Sequence, residues 1–290
     1  MNNVNFTYLL NQDGTFKINF NPISRPLLDW KSELIQTAKN IRALTDKPLF
    51  LCLSGGIDGE VAARSFIKAG IEFTALTLRH NAGTNEHDIV YAREFCKAYN
   101  IPHKIVDFDI SFFIRNNIPF YIEQGYRSWR TFRFQQIYLF ELAESLGGTT
   151  VLGGGEQTYI TKNNEICINF KSDFFMCVEW LKNNKKLHFP FFHMQNSELY
   201  ASYLNDKLIQ YMHKDPSYFV NVWGNDTSYD KMFVYHKNWP EMKRRKKFNG
   251  FENLKTADFT INYVHPRRKE LGDPVSQYIP VSLIREQLGI

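Results

Sequence analysis

Cysteine is scarce in this 290-residue chain and badly spaced for a metal. Cys52, Cys96, Cys167 and Cys177 form no C-x-x-C pair, which argues against the usual structural zinc and iron–sulfur arrangements. Cys52 and Cys96 fall on apolar faces and read as core residues, while Cys167 and Cys177 leave a redox pair open. Long apolar runs are also missing. No stretch approaches the roughly 20 residues of a membrane span. The opening "MNNVNFTYLLNQDG" has neither a basic n-region nor a cleavage site, so the expectation is a cytoplasmic protein without a membrane partner. Charge excess is small: the net +5 does not by itself imply nucleic acid. The Lys-bearing G-x-x-x-x-G-K-[ST] loop and the G-x-G-x-x-G fingerprint are both absent.

Aromatics, by contrast, are plentiful at 16%, with 25 Phe and 15 Tyr. They are enough for a large core in one main domain with a smaller appendage. "VNFTYLL" and "TFKINF" alternate apolar and polar residues around the turn chemistry of "NQDG", which predicts a hairpin. "LLDWKSELIQTAKNIRAL" has helical spacing. From Pro48 the pattern becomes strand–helix alternation. "PLFLCL", "EFTALTL", "HKIVDFDI" and "TTVLGGG" read as strands. "GEVAARSFIKAG", "NEHDIVYAREFCKAYN" and "RTFRFQQIYLFELAESLGG" read as the helices between them. Such alternation predicts an α/β fold: a doubly wound, mostly parallel sheet with helices on both faces and ligands at the carboxyl ends of the strands. Later, "EICINF" reads as a strand and "ELYASYLNDKLIQYMH" as one helix. The remainder predicts an irregular, partly helical C-terminal region. The expected organisation is 1–45 hairpin and helix, 46–160 nucleotide-binding core, and 161–290 a C-terminal region completing the site.

The informative stretch is "LCLSGGIDGE", residues 51–60. A buried strand ends in Ser54, Gly55, Gly56, Ile57, Asp58 and Gly59, and a helix follows. Glycines let backbone N–H groups converge, and a helix N-terminus adds unpaired donors and a positive dipole end. Together they make a cradle for phosphate or pyrophosphate; a tight packing turn is the other reading.

"SGGIDG" resembles the S-G-G-x-D-S loop of the PP-loop ATP pyrophosphatases, and the flanking strands and helices over residues 46–160 agree. The resemblance implies a HUP/Rossmann-like core that splits ATP between its α and β phosphates and activates a substrate as an adenylate. Gly59 replaces the last Ser of the motif. "VLGGGEQTY", residues 151–159, is similar to the strand-end acidic segment of asparagine-synthetase-like domains, and "RRKKFNGFE", residues 244–252, is similar to their late R-x-K-x-G-F segment.

These resemblances imply the following roles. Ser54, Gly55, Gly56, Ile57, Asp58 and Gly59 hold the β,γ-pyrophosphate, with Gly154 and Gly155 nearby. Leu76 and Leu78 flank the adenine while main-chain groups read its edge. Lys246 or Lys247 faces the phosphates as a catalytic cation. A lone carboxylate beside a polyanion needs a cation, so Asp58 is expected to bind Mg²⁺, with an N-cap role as the alternative. Glu156 is a second metal or substrate candidate. Arg79 and Arg130 are substrate candidates, the latter within a three-residue series of Arg127, Arg130 and Arg133.

The expected chemistry is ATP-dependent adenylation of a small-molecule acceptor followed by nitrogen attack. No nucleophilic Cys follows Met1, so ammonia would be free or supplied by a glutaminase partner. The basic runs "MKRRKK" (242–247) and "HPRRK" (265–269) keep tRNA or nucleobase modification as the alternative. Nucleotide binding without turnover is a third reading.

Overall fold

A computed structural model describes residues 4–11, 13–81, 83–128, 130–155, 159–162, 165–214, 228–243 and 275–290. Strands β1 (Phe6–Leu10) and β2 (Phe16–Phe20) pair antiparallel, and helix α1 (Trp30–Ala43) follows. The central sheet is built from β3 (Leu49–Cys52), β4 (Thr74–His80), β5 (His103–Phe108) and β6 (Thr149–Leu152). Its order is β5-β4-β3-β6 and every pairing is parallel. The connections carry α2 (Ile57–Lys68), α3 (Glu86–Ala98), the short helices α4 (Ile110–Phe112) and α5 (Ile118–Glu123), and α6 (Thr131–Ser145).

The alternation of strand side chains explains the two-sided core. Leu49, Leu51 and Leu53 point into the cluster that includes Leu34, Ala38, Val61, Phe66 and Phe95 from α1, α2 and α3. Phe50 and Leu76 point the other way, with Ala143 of α6. Leu152 joins Phe134, Ile137 and Phe140 of α6 on that same side. Helices therefore cover both faces, as a buried parallel sheet requires.

The later chain adds a second, antiparallel sheet: β7 (Tyr159–Lys162), β8 (Glu165–Lys171) and β9 (Ser276–Pro280), in that order. Helices α7 (Met176–Asn184), α8 (Ser197–Leu204), α9 (Lys207–Lys214), α10 (Ser228–Asn238) and α11 (Val281–Leu288) complete the described elements. The stretch expected as one helix over 198–213 is two. Asn205 caps the end of α8, and the Asp206 carboxylate accepts from the Leu208 N–H at 2.9 Å. That side chain competes for the backbone donors that a continuous helix would use. All four cysteines are free, so Cys167 and Cys177 form no disulfide; the Cys177 thiol instead lies 3.1 Å from Gln136 Oε1. No helix among the described residues is long and apolar enough to cross a membrane.

Candidate functional site

β3 stops at Cys52, and the chain turns through Ser54, Gly55 and Gly56 into α2. The helix begins at Ile57, so Asp58 and Gly59 lie in its first turn and Gly56 is the N-cap. Asp58 is therefore not the cap. As a glycine, Gly56 has no side chain to cap this end, so the acceptor that an N-cap Ser, Thr, Asp or Asn would supply to the first-turn donors is missing.

Gly55 has φ +99°, and a Cβ there would lie 1.9 Å from the Asp88 carbonyl oxygen. No other residue fits. At Gly56 an added Cβ would meet, among the described residues, Ser54 Oγ alone, at 3.4 Å, so none of the described elements fills this side of the loop. The Gly56 N–H donates to Ser54 Oγ at 3.3 Å. A Cβ at Gly59, where the motif has Ser, would sit 3.2 Å from the Cys52 carbonyl oxygen. A Cβ at Gly153 would lie 2.7 Å from both Cα and N of Gly59. The glycine turns after β3 and β6 thus pack backbone to backbone, which accounts for the glycine at each. Gly154 and Gly155 face the Pro190–Met194 segment: added Cβ atoms would come within 2.8 Å of Pro190 O and 3.0 Å of Phe191 Cβ. Close packing explains their missing side chains.

Two residues that the sequence does not single out converge on Asp58. The Tyr235 hydroxyl of α10 donates to Asp58 Oδ1 at 2.7 Å. His193 Nε2 lies 3.3 Å from the Asp58 backbone oxygen, and the His193 N–H donates to Gly154 O at 3.1 Å. The Tyr235 ring stacks on Trp30 at 5.3 Å and on His193 at 5.8 Å. The only local signal for His193 is an ordinary aromatic run, "FPFFHM".

The remaining candidates separate. Leu76 is buried against Phe50, and Leu78 packs beside Leu152 and Phe108. Arg79 makes an exposed pair with Asp107 of β5 at 2.5 Å. Arg130 is the N-cap of α6, so of the series Arg127, Arg130 and Arg133 the first two precede the helix and Arg133 lies in its first turn. Arg130 and Arg133 instead approach buried Asp173 at 3.5 and 3.9 Å, and the Ser128 hydroxyl donates to the same carboxylate at 2.9 Å. Glu156, Lys246 and Lys247 lie outside the described residues. The start of the basic run is anchored beside the loop helices: Lys243 pairs with Glu94 of α3 at 2.7 Å, and Glu241 pairs with Arg64 of α2 at 2.8 Å.

Burial raises all four thiols, Cys96 to about 11 and Cys177 to about 12. No cysteine is therefore activated as a thiolate. The His80 imidazole, buried at the end of β4, is pushed down to about 4.

No family model matches the chain. Over 84 residues it is 37% identical to a tRNA-specific 2-thiouridylase of Acaryochloris marina, covering 28% of this chain and 23% of that protein. A 7-cyano-7-deazaguanine synthase of Colwellia psychrerythraea is 34% identical over 61 residues, 21% of this chain and 27% of that protein. The chain is thus similar, over these stretches, to members of the PP-loop ATP pyrophosphatase superfamily. The chain spans about a quarter of the length of those two relatives. Among solved structures, an NMN synthetase from Francisella tularensis is 17% identical with a TM-score of 0.36, over 83% of this chain and 93% of that one.

Proposed function

We propose that the protein is an enzyme that binds ATP with Mg²⁺, splits it to AMP and pyrophosphate, and thereby adenylates an acceptor that a nitrogen nucleophile then attacks. The observation that carries this is the N-terminus of α2, whose glycine N-cap offers no side-chain acceptor, behind the face of Gly56 that no described element fills. Fixed N–H donors there meet the charge that grows on a departing pyrophosphate, and they need no reorganisation to do so.

Asp58 is the described carboxylate placed to hold Mg²⁺. No cluster of three or more His, Cys, Asp or Glu groups suited to a metal occurs among the described residues. A single carboxylate still fits an ion that keeps most of its shell for phosphate and water. When bound, the ion would neutralise charge on the leaving pyrophosphate. Tyr235 fixes one oxygen of that carboxylate, and His193 fixes the backbone beneath it. Lys246 or Lys247 would supply a further cation, and Glu156 a second carboxylate.

Amide or other C–N bond formation is favoured over sulfur transfer by a cysteine of this chain, because burial holds every thiol protonated. Modification of tRNA or of a nucleobase is the second reading, supported by the two relatives whose names describe such reactions. Incubation with ATP, Mg²⁺ and a panel of carboxylate and nucleobase acceptors, with and without ammonia, tests both. Acceptor-dependent release of AMP and pyrophosphate is expected. ATP binding without pyrophosphate release under any condition would reduce the protein to a nucleotide binder.

A further inference from the structure

β3 leaves the central sheet early. Its last main-chain hydrogen bond to β4 is the Leu53 N–H donating to the Leu76 carbonyl at 3.0 Å; the Leu53 carbonyl then accepts from the Thr77 hydroxyl rather than from a backbone N–H, and the chain enters the glycine loop. β4 continues to His80. In a parallel sheet, alternate residues turn their backbone groups to the same neighbour. The β5 side is served by odd-numbered positions, as the Ala75 N–H to Pro102 O and Asn81 N–H to Phe108 O bonds show. Leu78 and His80 therefore face the edge that β3 has vacated, next to the loop.

The Asn85 side-chain amide spans that edge. Its Nδ2 donates to the Leu78 carbonyl at 2.8 Å, and the His80 N–H donates to its Oδ1 at 3.0 Å. These bonds reach back seven and five residues into a strand, so they are not a local turn. Asn85 is also the N-cap of α3, where an Asn side chain ordinarily accepts from its own helix. Here it makes no such bond. The capping function is left undone in favour of the strand edge.

A donor and an acceptor side by side are what a primary amide offers. They are also what the edge of a 6-aminopurine offers, through its exocyclic amine and the adjacent ring nitrogen. We propose that the Asn85 amide stands in for the base. It holds the Leu78–His80 edge and must leave for an adenine ring to take its place, so Asn85 sets how much the base contributes to affinity. This inference rests on the nucleotide reading above.

Asn85→Ser retains a capping side chain but is too short to span the edge. Wild type and variant are titrated with Mg²⁺–ATP and with inorganic tripolyphosphate, which carries the charge without the base; circular dichroism confirms that both are folded. ATP is expected to bind the variant about three- to tenfold more tightly, the scale of one net hydrogen bond, with tripolyphosphate unchanged. Should the Ser variant unfold, Asn85→Gly, which also tolerates the N-cap position, takes its place. If ATP binding is unchanged or weaker, or moves in step with tripolyphosphate, the role of Asn85 is refuted while the nucleotide reading stands. If wild type binds tripolyphosphate as tightly as ATP, the base is not read and the inference also fails. If wild type binds neither ligand, the proposed function itself fails and takes this inference with it.

Discussion

Tyr235 and Asp58, 177 positions apart in sequence, share a 2.7 Å hydrogen bond. It couples the first turn of the loop helix to α10. The Tyr235 ring is itself held between elements, stacking on Trp30 of α1 and on His193. One oxygen of this first-turn carboxylate is therefore held by a tyrosine that is itself packed against two further parts of the chain. Preorganisation of this kind is what a site stabilising a growing charge needs.

Removing only the hydroxyl tests that coupling. Tyr235→Phe keeps the aromatic stack and deletes one donor to a carboxylate, a bond worth about 1.5–3 kcal/mol. The variant is expected to fold, to melt a few degrees lower, and to need several-fold more Mg²⁺ for half-maximal pyrophosphate release. Asp58→Asn retains an oxygen that can accept from Tyr235, so its thermal midpoint should stay near wild type while turnover falls about a hundredfold or more. Normal turnover in Asp58→Asn would remove the metal role.

The two adjacent glycines of the loop should behave differently. Gly55→Ala puts a Cβ 1.9 Å from a backbone oxygen at φ +99°, a clash and a strained conformation together. Loss of about 3 kcal/mol or more, or failure to fold, is expected by denaturant titration. Gly56→Ala has φ −71° and no contact closer than 3.4 Å. Its stability should stay within about 1 kcal/mol of wild type, yet ATP affinity should drop because the methyl enters the cradle. Equal effects of the two substitutions would show that the loop is only a packing turn.

The loop was readable from sequence because its chemistry is local. A strand ends, side chains vanish, a helix begins, and glycines mark where backbone must approach backbone. The four parallel strands were readable for the same reason, as each apolar run is bounded by its own turn residues. Tyr235 and His193 were not. Their role exists only once α10 and the Pro190–Met194 segment fold onto α2, and nothing near them in the chain encodes that. The pairing of β9 with β8 is equally non-local. Asn85 is intermediate: its residue type announces a helix cap, but the edge vacated by β3 redirects the side chain. The split between α8 and α9 was missed because the apolar periodicity on either side of Asn205–Asp206 masks a capping pair.

Two buried histidines give the fold a defined acid response. Burial lowers His80 and, as the main cause, His188 from 6.5 to about 4. Above pH 6.5 both are neutral whether folded or unfolded. As pH falls below 6.5 the unfolded chain takes up protons that the folded chain does not, so stability declines until about pH 4. Denaturant titrations should show little change from pH 8 to 7 and a loss of about 1–2 kcal/mol per histidine by pH 5. His188→Gln should flatten that slope; an unchanged slope in this variant would mean His188 protonates freely in the folded state.

The basic run provides a sharper test of function, because its members begin from different positions. Lys243 is exposed and pairs with Glu94 on the surface of α3. Such pairs contribute about 0–1 kcal/mol and weaken with salt. Lys243→Ala is therefore expected to change pyrophosphate release less than severalfold. The resemblance of residues 244–252 to the late segment of asparagine-synthetase-like domains assigns the phosphate-facing role to Lys246 or Lys247. Glu241 and Lys243 tie the start of the run to α2 and α3, the helices whose first turns flank the glycine loop. A cation aimed at a departing pyrophosphate acts mainly in the transition state. Alanine at the correct lysine should thus lower kcat by about two to three orders of magnitude while ATP affinity changes little. If alanine at each of the five basic residues instead weakens RNA retention uniformly and salt-dependently, with pyrophosphate release untouched, the run is a nucleic-acid surface and tRNA modification becomes the leading reading.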